Sequence, residues 1–148
     1  PGEIIERARK YIYDCTTDKG GVVYSIQNKD SGERPPITAA AVAVLFNAGQ
    51  YEQTAEIKKM MTYCDENVWP GGSQDFGHWH YMHYYFAQVM YRQPDKWERY
   101  SKWVEGEILA KQTPQGSWDD TTIGTVYVTA INTTILQLDK GYLPIFQR

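Results

Sequence analysis

The sequence predicts an all-α chain in which amphipathic helices alternate with helices that are apolar on every side. Two observations carry this. In three segments apolar residues recur at helical spacing with charges between them. Between and after those segments lie runs of twelve to fourteen residues without a single Asp, Glu, Lys or Arg.

The first outer helix is marked by Ile5, Ala8, Ile12 and Cys15, at i, i+3, i+7 and i+10, with Glu6, Arg9 and Lys10 on the other side. The first inner segment, TAAAVAVLFNAG at 38–49, has no polar face, which predicts a helix buried all round. The second outer helix follows as Ile57, Met60, Met61, Cys64 and Val68, with Lys58 and Lys59 outward. Residues 78–91, HWHYMHYYFAQVMY, form an inner segment that is aromatic on every side. The third outer helix carries Trp97, Tyr100, Val104 and Ile108, and its start, Pro94–Asp95 with Glu98 three residues on, has the form of a capping box. The last inner segment is TVYVTAINTTILQL at 125–138. Its Val, Ile and Thr content suits a strand, but it lacks alternation and aligns with the first inner helix. Gly141 and Pro144 then stop the chain's last helix.

The helix pairs are spaced as a repeat. Glycines at Gly21, Gly72 and Gly116 follow the three outer helices at steps of 51 and 44. Thr38–Ala39 aligns with Thr129–Ala130, and Cys15 and Cys64 fall in one slot of successive outer helices, 49 apart. Such a period is solenoid-like, each unit burying its apolar face only against its neighbours.

The joint before the last inner segment, Gln112-x-x-x-Gly116-x-Trp118, resembles the core of the QW motif of the terpenoid cyclase and prenyltransferase superfamily. The resemblance implies an α/α toroid of concentric helices. The whole chain, 1–148, is then one repeat domain forming an arc of three helix pairs, part of a larger toroid. Complete toroids of this kind use about twice as many pairs, so the arc's inner and end faces call for cover by further chain, a partner or another copy. In physical terms the Gln112 amide is expected to bond open carbonyls at the helix end, Gly116 to allow the tight turn, and Trp118 to seal the layers.

Three sets of residues are candidates for function. Asp119 and Asp120 resemble part of the DxDD motif whose middle aspartate donates a proton in family cyclases, but Ser117 stands in for that motif's first acid and the pair follows the QW-like glycine directly instead of lying further on at the inner helix entrance. The bland alternative is a carboxylate pair complementing a helix amino terminus. His80 and His83, three apart on a helix, could share a zinc ion, as the family's protein prenyltransferases use zinc; the family's Asp-x-Cys ligands are absent, and core packing is the competing role. Trp79, Tyr81, Tyr84, Tyr85 and Tyr127 form an aromatic belt suited to an apolar ligand, a partner's side chain, or simply the core.

Composition narrows the partners. A net charge of −3 argues against nucleic acid, and no apolar run is long enough to span a bilayer. Two cysteines are too few for a disulfide scaffold, and twelve Tyr with five Trp point to an aromatic core or cavity. The expected function is therefore a binding or scaffolding repeat domain with no resident cofactor, which takes an apolar ligand or a partner completing the ring. The alternatives are a squalene cyclase-like fragment and a zinc-dependent prenyltransferase-like subunit.

Overall fold

A computed structural model describes residues 2–50, 54–69 and 78–142. Among them are six α-helices: α1 (Gly2–Asp14), α2 (Pro35–Asn47), α3 (Ala55–Asn67), α4 (Trp79–Tyr91), α5 (Pro94–Leu109) and α6 (Thr125–Leu136). Short 3-10 turns occupy Ile26–Ser31 and Leu138–Lys140, and the only β feature among the described residues is an isolated Thr16–Val22 bridge. The chain is all-α, as the periodicities require. It divides into two compact units, residues 1–82 and 83–148, with the boundary inside α4.

In the first unit, α2 is the buried helix. Pro35 and Pro36 open it, because proline's fixed φ and missing N–H suit the first helical positions. Nine of its thirteen residues are buried, from Pro35 to Phe46. Gly49, at φ +83°, ends it: its N–H donates to Phe46 O, and the Gln50 N–H reaches back to Leu45 O, the two bonds of a Schellman cap. Against α2 packs α3, capped by the Thr54 hydroxyl, which accepts from the Ile57 N–H. Its stripe Ile57, Met60, Met61 and Cys64 is fully inside. The matching stripe of α1 is inside only at its end: Cys15, just past the helix, is buried and Ile12 half-buried, whereas Ala8 is exposed and Ile5 is 44% exposed, and no residue of the helix itself is buried.

In the second unit, α5 buries Tyr100, Val104 and Ile108. Its start differs from the expected capping box. Gln93 is the N-cap, Pro94 the first helical residue, and Glu98 pairs with Lys102 instead of reaching back. Proline sets the start earlier, which leaves Asp95 in the first turn to complement the dipole. The helix α6 also departs from expectation. Val128, Asn132 and Ile135 are buried, but Val126 is 85% exposed and Tyr127, Ala130 and Thr133 are exposed too. An apolar helix is buried only where something covers it, and among the described residues nothing covers this side of α6.

The repeat survives in the turns. After α1, the Thr17 N–H donates to Gly21 O and the Gly20 N–H to Thr17 O, with Gly20 at φ +89°. After α5, Thr113 N–H donates to Ser117 O and Gly116 N–H to Thr113 O, with Gly116 at φ +84°. Each turn then ends in the same latch. The Val22 N–H donates to the Thr38 hydroxyl at 2.8 Å, and the Trp118 N–H donates to the Thr129 hydroxyl at 3.1 Å. Gly20, not Gly21, is thus the counterpart of Gly116. Gly72, and likewise Pro144, lie outside the described residues.

Candidate functional site

The chain segments entering α2 and α4 border a cleft of about 350 Å³ in the first unit. It is lined by Tyr24, Arg34, Pro36, Ile37, His78 and Tyr81. Arg34 is the N-cap residue of α2, extended before the two prolines, and His78 precedes α4 with a left-handed backbone at φ +56°. Both helix amino termini bring the positive ends of their dipoles to this region. The Arg34 guanidinium lies 5.3 Å over the Tyr24 ring, a cation–π arrangement, while its Nε is buried without a hydrogen-bond partner among the described residues. Tyr24 itself is 66% exposed and forms the cleft's open wall. One cation, an imidazole, two phenols and an apolar floor suit a ligand with an anionic head and an apolar body.

Of the expected aromatic belt, Tyr81 lines this cleft. Trp79 is half-buried, edge-on to His80 at 5.0 Å. Tyr84, Tyr85 and Tyr127 come together in the second unit. The first two rings meet edge-to-face at 5.0 Å, and burial, with the other two phenols nearby, raises the Tyr84 hydroxyl above its ordinary pKa. Sequence reasoning missed Tyr24, Arg34 and His78, which come from separate loops; the Pro-Pro pair after Arg34 was the one local sign of a helix start there.

His80 is half-buried beside Trp79, and His83 lies in the core. His83 is fully buried, with Nδ1 2.9 Å from the Tyr100 hydroxyl and its ring 5.2 Å from Trp103. Burial holds the Tyr100 hydroxyl well above its ordinary pKa, so the phenol stays protonated in this core hydrogen bond. Among the described residues, no group of three or more His, Cys, Asp and Glu is placed to hold a metal. Cys15 and Cys64 are buried thiols that are not joined in a disulfide.

The acidic pair belongs to the α5–α6 joint. An Asp120 carboxylate oxygen accepts from the Thr122 and Ile123 N–H groups at 2.7 and 2.9 Å, and Asp119 accepts from the Thr125 hydroxyl at 3.1 Å. Both shape the approach to α6. The neighbouring joint also redistributes the expected roles. Gln112 bonds Gly116 O within its own turn, while the buried Trp118 donates its indole N–H to Ile108 O at 2.6 Å and so satisfies the helix-end carbonyl. No protein family, curated protein or solved structure was found to match this chain.

Proposed function

We propose that this chain is a helical-repeat binding module of the terpenoid cyclase and prenyltransferase type, with no catalytic acid of its own. Its ligand is an apolar chain bearing one anionic head group. The observation that carries this reading is the cleft at Tyr24, Arg34, Ile37 and Tyr81, where a lone guanidinium with a buried, unpartnered Nε faces an otherwise apolar and aromatic lining. A buried donor without an acceptor costs roughly 1–3 kcal/mol, and an incoming carboxylate or phosphate would remove that cost. In the cyclase alternative, Asp119 or Asp120 would donate a proton, whereas both carboxylates serve as acceptors that order the loop before α6.

The test is calorimetric titration with decanoate, decyl phosphate and decanol. The two anions are expected to bind more tightly than the alcohol, and Arg34→Gln should abolish that preference while leaving the weak binding of decanol. Equal affinity for all three, or an Arg34→Gln protein that still prefers the anions, refutes the reading.

A further inference from the structure

The two equivalent turns differ in what lies against them. A Cβ placed on Gly20 would sit 2.3 Å from the carbonyl oxygen of Lys59, so the backbone of α3 rests directly on this turn. One placed on Gly116 would meet nothing within 4 Å. The inner helices differ likewise. Pro35, Ala39 and Val42 of α2 are buried, whereas their counterparts Val126, Ala130 and Thr133 on α6 form an exposed stripe. The third repeat thus leaves open a seat of turn and helix face, where in the first repeat α3 rests on the Gly20 turn and packs against α2.

An outer helix with an open apolar stripe exists in the same chain. Aligning Cys15 with Cys64 sets Lys10 of α1 opposite Lys59, Ala8 opposite Ile57 and Tyr11 opposite Met60. Ile57 and Met60 are fully buried, while Ala8 and Tyr11 are exposed, as are Ile4 and Ile5. The open stripe of α1 therefore has the register of the helix that fills the equivalent seat.

From these matched faces we infer that the chain associates head to tail with a second copy: α1 of one copy lies on the Gly116 turn and the Val126–Ala130–Thr133 stripe of the next. The backbone at Lys10 takes the place on Gly116 that Lys59 takes on Gly20. Such an interface is heterologous, joining two different surfaces. It is independent of the cleft.

Exposed alanines on both helices allow a test that leaves the fold alone, since arginine is a good helix former. Wild type, Ala8→Arg and Ala130→Arg are compared by sedimentation velocity from low to high micromolar concentration, with circular dichroism as the folding control. The wild type is expected to associate, and each variant alone to remain at the mass of a single chain. Their equimolar mixture should form a dimer and nothing larger, because it holds one intact α1 face and one intact α6 seat. Gly116→Asn, whose side chain tolerates the left-handed backbone, should behave as Ala130→Arg does. A wild type that stays monomeric overturns the inference. So does an Ala8→Arg protein that associates as the wild type does, or a mixture that fails to dimerise.

Discussion

Replacing Gly20 and Gly116 by alanine separates backbone strain from close packing. Both glycines sit at nearly the same positive φ, +89° and +84°, so a Cβ costs each about 1–2 kcal/mol of backbone strain. Both variants also recover roughly 0.4–1 kcal/mol, because alanine leaves the unfolded chain less freedom to lose. At Gly116 nothing else changes, since the new methyl points into open space, and the net loss is at most about 1.6 kcal/mol. At Gly20 the methyl would lie 2.3 Å from Lys59 O and 2.4 Å from Lys59 C. These are backbone atoms and cannot rotate aside, so α3 must move off the turn, an overpacking cost of about 1–3 kcal/mol. Gly20→Ala should therefore exceed Gly116→Ala by that amount, at least about fivefold in the unfolding equilibrium constant. Urea unfolding followed by circular dichroism at low micromolar concentration measures both. Equal losses, or a greater loss at Gly116, would refute the assignment of Gly20 as the packed copy and Gly116 as the open one.

Trp118→Phe removes the indole donor from the buried Ile108 carbonyl bond and should cost about 1–3 kcal/mol in the same unfolding assay. Thr38→Val leaves the Val22 N–H without its acceptor, and hydrogen exchange at that amide should quicken markedly, whereas Thr38→Ser should preserve protection. Burial, with the Glu33 carboxylate nearby as a smaller cause, pushes the Tyr63 hydroxyl up to about 12. The unfolded chain therefore loses this proton first. Tyr63's contribution to stability is intact below about pH 10 and falls as pH rises toward 12, which phenolate absorbance of the native protein against Tyr63→Phe will follow.

Much of the fold was legible because periodicity reports what a helix face prefers. The uncharged run at 38–49 named a buried helix, and α2 is one. The same signal at 125–138 named another, yet α6 is wet along Val126, Ala130 and Thr133. Composition states which surface should be covered, while actual cover depends on a neighbouring element, and that is a property of the assembly. The adjacent glycines 20 and 21 illustrate a finer limit. Only hydrogen bonding distinguishes the residue at positive φ from the one that merely allows close approach. For the cleft, Tyr24, Arg34 and His78 lie up to 54 positions apart, and no periodic pattern links residues whose proximity arises from two loops meeting.

The threonine latch also limits what selection must preserve at each joint. Thr38 both accepts the Val22 amide proton and donates to Arg34 O, and Thr129 receives the amide of Trp118 in the same way. Since the fastening uses a main-chain amide, it works alike for valine and tryptophan, and proline is the sole residue it forbids. The side chain at that position is set by packing instead, and both Val22 and Trp118 are buried. Mutational tolerance at the buried Val22 should accordingly extend to other apolar side chains that fit its space, and be narrow at the hydroxyl that grips it.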